Sequence, residues 1–166
     1  MNKLNIYRRA DKVSFMDTTD TQESTSFTRM QGFTELSKSS NLKTYSRQYV
    51  DEDFEREDAV GYNTAHTYKF DRIVDNAVHN KLATIADEEL TNQTVRILTV
   101  DLKKPAEGGG YEARLRVYTV LPDAEADGTD AYTYGGTLKK ADVYTGGTAT
   151  ISADGLTATF TPEGSV

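Results

Sequence analysis

Histidine is the side chain that most readily works as general base, proton shuttle or metal ligand near neutral pH, and this chain has two, His66 and His79. There is no cysteine, which excludes a thiolate metal site and a disulfide framework. A zinc site would then need both histidines together with carboxylates. His66 falls mid-strand and His79 on a predicted helix, with no nucleophile at a recognisable spacing. Both read as ordinary surface or interface residues. The densest cluster of carboxylates is DEDFERED at 51–58, six acids and one arginine around Phe54. It lacks the spaced ligands and central glycine of an EF-hand calcium loop. Gly108-Gly109-Gly110 is followed neither by Lys and Ser or Thr nor by a helix, so it reads as a turn and not as a phosphate loop. Serine is plentiful, but no G-x-S-x-G elbow is present. The expectation is a protein that is not an enzyme and takes no metal or cofactor.

The elements around these residues are mostly strands. From 42 to 50, Leu42, Thr44, Ser46, Gln48 and Val50 alternate with Lys43, Tyr45, Arg47 and Tyr49. From 62 to 70, Tyr62, Thr64, His66, Tyr68 and Phe70 share one face. These two runs, joined by 51–60, read as an antiparallel hairpin with a long connection. Further strands are predicted at 30–36, 94–104, 111–122 and 131–144, the last bent at Gly135-Gly136. A final hairpin has arms at 148–151 and 156–160 and turns at 153–155. One helix is predicted over 75–89, with Asp75 as N-cap and Val78, Leu82, Ile85 and Ala86 as its apolar stripe. Residues 1–28 read as an N-terminal arm and polar loop, with a short strand near Val13, Phe15 and Met16. Residues 29–166 read as a single domain. The fold class is mainly β, a β-sandwich or barrel with one flanking α-helix.

Composition adds constraints. Of 166 residues, 37% are hydrophobic and none is tryptophan. That is modest burial for the length and suggests segments ordered by partners. The start, MNKLNIYRRADK, lacks the apolar run of a signal peptide, and no segment approaches a membrane span. Net charge is −7, which argues against tight binding of a nucleic-acid backbone. The charge is uneven: eight basic and five acidic residues lie in 1–50, just before the acidic run. A basic third beside an acidic patch is compatible with head-to-tail self-association, and a solvated loop accounts for the acidic run equally well. Ten tyrosines are present, several beside Arg or Lys as in Tyr45-Ser-Arg47-Gln-Tyr49. Cross-strand packing and a subunit interface both account for that pattern.

Three segments carry a resemblance to a known family. TRMQGFTELSKSSNLKTYSRQYVDEDFEREDAVGYN and YKFDRIVDNAVHNKLATIADEELT resemble the N-terminal half of phage major tail tube proteins from long-tailed viruses of Gram-positive bacteria. DAYTYGGTLKKADVYTGGTATISADGLTATF is similar to their C-terminal end. The likeness spans most of 28–161 and contains no catalytic motif.

The resemblance implies a structural virion protein of the tail, assembled in the bacterial host cytoplasm. Family members form a β-sandwich with one flanking helix, and six copies make a ring. Rings stack into a tube that holds a tape-measure protein and then passes DNA into the host without binding it specifically. Tail-tip and terminator proteins are the other implied partners, and no membrane is involved. On this chain the implied subunit and ring contacts are Asp51, Glu52, Asp53, Phe54, Glu55 and Arg56, facing basic residues such as Arg8 and Arg9. The implied inner-sheet residues are Tyr45, Arg47, Tyr49, Tyr62, Thr64, His66 and Tyr68. Two alternatives stand beside this reading. One is the inner tube of a contractile tail or phage-like bacteriocin, and the other is a β-sandwich surface binding module.

Overall fold

The computed structural model describes residues 4–19, 21, 23–125 and 129–164. Along the chain lie a 3-10 turn (Arg9–Asp11), β1 (Lys12–Met16), β2 (Ser26–Arg29), β3 (Phe33–Ser39), β4 (Leu42–Arg47), β5 (Arg56–Tyr62) and β6 (Ala65–Asp71). Helix α1 (Ala77–Asp87) follows, then β7 (Thr94–Pro105), β8 (Tyr111–Glu125), β9 (Thr133–Lys140), β10 (Thr145–Ile151) and β11 (Thr157–Pro162).

The long strand β8 organises the fold. Residues 111–115 pair with β10 and residues 118–125 with β9, while β7 runs along its other side. From β10 the order passes through β11, β2 and β1 back to β7, so six strands close a barrel. Closure pairs the backbone without leaving an edge. The barrel interior takes one side of each strand, as strand alternation requires. Val13 and Phe15 come from β1, Phe27 from β2, Leu98 and Val100 from β7, Ala113 from β8, Ala149 from β10, and Ala158 and Phe160 from β11. Small and large side chains alternate to fill it. At Gly147 even a methyl group is excluded, because a Cβ would lie 2.3 Å from the Thr161 carbonyl and 2.8 Å from the Phe160 ring.

A second core lies on the opposite face of the same sheet. Strands β9, β6 and β3 extend from the far half of β8. Met16, Tyr68, Phe70, Val95, Ile97, Tyr118, Val120 and Leu138 turn towards α1, which contributes Val78, Leu82, Ala83 and Ile85. The mainly β fold with one flanking helix is therefore the observed architecture, and its closed part is a barrel.

Helix α1 differs in detail from expectation. Its N-cap is Asn76, not Asp75, and the Asn76 side chain accepts hydrogen bonds from the Val78 and His79 amides. His79, read from sequence as a surface or interface residue, is fully buried. Its Nδ1 accepts from the Ile73 amide at 3.1 Å, so its Nε2 carries the proton that it donates to the Gln31 carbonyl at 2.7 Å. The ring stacks on Phe70 with centroids 4.2 Å apart. Gly32 makes room for it: φ there is +74°, and a Cβ would sit 2.9 Å from the imidazole.

Within residues 1–28, β1 and β2 are barrel staves, and β2 runs across position 28. Asp17, Thr19 and Ser24, which follow β1, are tied to the fold by hydrogen bonds. The Arg96 guanidinium donates from Nε (3.1 Å) and Nη2 (2.6 Å) to Asp17 Oδ2, and Nη2 also donates to the Ser24 carbonyl. Asp17 Oδ1 accepts from the Thr19 amide and hydroxyl, and Lys81 donates to the Asp17 and Thr19 carbonyls.

Candidate functional site

Strands β4 and β5 form a two-stranded ribbon separate from the main sheet. This corrects the expected hairpin of 42–50 with 62–70. The partner of β4 is β5, which occupies much of the expected loop, and β6 pairs instead with β3 and β9. One long hairpin, β3–β4 against β5–β6, is divided by a bend at 40–41 and 63–64. There Asn41 has a φ of +42°. The Asn63 amide and the Asn41 carbonyl hydrogen bond at 3.1 Å, and Asn41 Nδ2 donates to the Asn63 carbonyl. Beyond the bend almost every residue is exposed, so this part projects as an arm.

The arm answers what Phe54 does among acids. Cross-strand partners share a face, and Tyr45 lies opposite Asp58 while Arg47 lies opposite Arg56. The two arginines avoid repulsion by pairing with acids: Arg47 with Asp58 at 2.5 Å and Arg56 with Glu52. Their guanidinium planes interleave with aromatic rings. Arg47 sits over Tyr45 (5.4 Å) and Tyr49 (5.5 Å), and Arg56 over Tyr49 (6.0 Å) and Phe54 (5.5 Å). Such contacts contribute roughly 0.5–1 kcal/mol each at exposed sites. They stiffen the tip without burying it, and Phe54 remains 59% exposed. Asp51, Asp53, Glu55 and Glu57 lie within three residues of it in sequence and form no ion pair among the described residues.

The other expected residues separate. Tyr62 is exposed at the root of the arm, but Thr64 and Tyr68 are 4% and 2% exposed. Burial pushes the Tyr68 phenol up to about 12. Thr64 and Tyr68 both sit on or beside β6, which pairs with β3 and β9 in the main sheet. Arg8 is exposed, and its amide donates to Asp11 Oδ2 at 2.7 Å. Arg9 and His66 meet in a cleft that sequence reasoning missed.

The cleft is a cavity of about 360 Å³ at the open end of the second core. On β1, β7 and β8 the barrel takes Val13, Val100 and Ala113, while Lys12, Asp101 and Arg114 point the other way. Further along, that second face is apolar and lies under α1; here it is polar. Six cations line the cleft: Arg9, Lys12, Lys38, Lys104, Arg114 and Arg116. Asp101 and Glu112 are the acids that line it. Burial and neighbouring positive charge act together on two of its members. Burial, then the charges of Arg116, Arg114 and Lys12, lower Lys38. Burial, then Lys38, Arg116 and Arg9, bring His66 down to about 4. His66 is neutral near pH 7 and hydrogen bonded to the Tyr118 hydroxyl at 3.1 Å. The Arg116 Nε is buried with no hydrogen-bond partner among the described residues. Tyr144 closes one side, with Arg114 and Arg116 over its ring at 5.0 and 5.5 Å. The available signal was the alternation of Arg114 and Arg116 with Ala113 and Leu115, which marks a charged face on a strand whose other face is core.

Two lowered histidines make stability depend on pH. Both are held below the usual 6.5, so the fold favours their neutral forms. The unfolded chain takes up these protons first as pH falls, so stability is full above about 6.5 and declines towards 4. His66 borders open solvent, so its full shift is discounted to roughly 1–2 kcal/mol. Urea midpoints at pH 7.5 and 4.5 should differ accordingly, with a smaller difference in His66→Gln. Equal midpoints for the parent at both values would remove this role.

No protein-family model matches the chain, and no curated protein matches it in sequence. Among solved structures, it is similar to a chain of the anti-feeding prophage (AFP) baseplate, determined by cryo-EM and 6-fold symmetrised. The identity is 10%, the match covers 88% of this chain and 97% of that one, and the TM-score is 0.46.

Proposed function

We propose that this protein is a structural subunit of a phage-type tail, which self-associates into rings that stack into a tube through which DNA passes. The observation that carries this reading is the projecting arm: a solvent-exposed ribbon whose aromatic and arginine side chains have no core of their own to join. Tyrosine, phenylalanine and arginine are the residues favoured at the centres of protein interfaces. The resemblance of segments across most of 28–161 supports the same reading. So does the strand edge, since β3 pairs only with β6 among the described strands. An open edge invites pairing with another copy. The tape-measure, tip and terminator proteins belong to this reading as partners within the virion.

Negative-stain microscopy and sedimentation of the purified chain test it. Rings or tubes are expected as concentration rises, and a lasting monomer at high concentration contradicts the proposal. Phe54→Ala should leave the melting of the unassembled protein unchanged, because the ring is mostly exposed and lies against Arg56 of the arm. Completing the burial of Phe54 is worth about 1–2 kcal/mol per contact. The variant should therefore need roughly tenfold more protein to assemble. Tubes that form as readily as in the parent would mean that the tip stays solvated.

A further inference from the structure

We propose that the basic cleft is the receptor for the acidic arm tip of a second copy of this chain. The inference rests on the self-assembly reading above and names the contact that would drive it. Three observations carry it. First, the charges match. The cleft concentrates six cations against two acids in a protein of net charge −7, and the tip presents Asp51, Asp53, Glu55 and Glu57 with no partners among the described residues. Second, the apolar parts match. Phe54 stands exposed amid those acids, and Leu36, Tyr118 and Tyr144 line the cleft beside its cations. The buried Arg116 Nε has no hydrogen-bond partner among the described residues, and a guanidinium favours a carboxylate acceptor.

Third, the arm excludes its own cleft. Lys38 on β3 and His66 on β6 lie in the cleft, and those strands continue through the bend into β4 and β5. The arm therefore springs from the rim of the cleft. About eight residues of extended ribbon separate bend and tip, which at ~3.3 Å per residue sets them about 25 Å apart. Whatever the direction of the arm, its tip lies that far from its root, so the occupant is another molecule. A contact between the arm of one copy and the cleft of another joins different surfaces and is therefore heterologous, the kind that propagates into rings or filaments.

The test is a charge swap in the full chain. Lys38→Glu with Arg114→Glu reverses the cleft, and Asp53→Lys with Glu55→Lys reverses the tip. All four positions are exposed, and circular dichroism confirms that each variant folds. Each variant alone should need at least about tenfold more protein to reach half-assembly by sedimentation at low salt. Mixed one to one they should assemble again, because each then offers the tip that the other's cleft accepts. A benzoylphenylalanine in place of Phe54 should crosslink between copies to peptides containing Lys38, Arg114 or Tyr144. Single variants that assemble like the parent, or a mixture that fails, overturn the proposal. Tubes that form in the parent while the crosslink maps elsewhere leave the tail reading standing and remove the docking. Rescue and crosslinking in assemblies that are neither rings nor tubes do the reverse. Duplex DNA or pyrophosphate that binds the parent but not the cleft variant, with no tip crosslink, assigns the cleft to phosphate and overturns it too.

Discussion

Asp17→Ala is expected to destabilise the fold by about 3–5 kcal/mol, the range for leaving one member of a buried ion pair without its partner. Asp17 is 3% exposed. Removing its carboxylate strands the Arg96 guanidinium, which among the described residues keeps the Ser24 carbonyl and its position over the Phe27 ring at 5.2 Å. The Thr19 amide also loses its acceptor, while the Thr19 hydroxyl keeps the Thr21 carbonyl at 3.2 Å. Burial alone would push the Asp17 carboxyl up, but hydrogen bonds from Thr19 and Arg96 outweigh it and hold the group below the usual carboxylate range. Its contribution is therefore present above about pH 4 and lost in stronger acid. Urea denaturation of Asp17→Ala and of the double variant Asp17→Ala with Arg96→Met separates the terms. The double variant should recover part of the loss, since it no longer buries an unpaired charge. A single-variant loss below about 1 kcal/mol would show that water reaches Arg96 and that the tie is superficial.

His79→Ala is expected to cost about 2–4 kcal/mol, with the loss divided between packing and hydrogen bonding. The ring fills the space between Phe70, Phe33 and Gly32, so its removal leaves a cavity in the second core. The Ile73 amide loses its acceptor. The Gln31 carbonyl keeps a second donor, Asn76 Nδ2 at 3.2 Å, so it is not left bare. His79→Leu keeps most of the volume and removes only the polar contacts, and should cost about half as much. Equal losses for the two variants would assign the whole role to hydrogen bonding. No loss in either would place His79 outside the cooperative core. The residue anchors the connection from β6 into α1, so hydrogen exchange in the first turn of the helix should quicken in both variants.

Alternation along single segments determined a good deal. It identified most of the strands, the lone helix with its Val78, Leu82 and Ile85 stripe, and the terminal hairpin. That hairpin turns where expected, with the Gly155 amide donating to the Ser152 carbonyl. The acidic run around Phe54 was legible as part of the connection between two strands, although its residues 56–58 belong to β5. These are properties of neighbouring residues, and periodicity reports them directly. Pairing between segments is different. Strands 42–47 and 56–62 have no strongly apolar face, so the pattern specifies their register weakly. Tertiary structure decided that β4 meets β5, and that a bend at Asn41 sends β6 into the core and Tyr68 with it. Barrel closure, the Asp17–Arg96 tie across 79 positions and the burial of His79 likewise needed the assembled fold. The basic cleft depends on it most. Arg9, Lys38 and Arg114 are far apart in sequence, and only the curl of one sheet, with its opposite face spent on the barrel, brings their charges to a single opening.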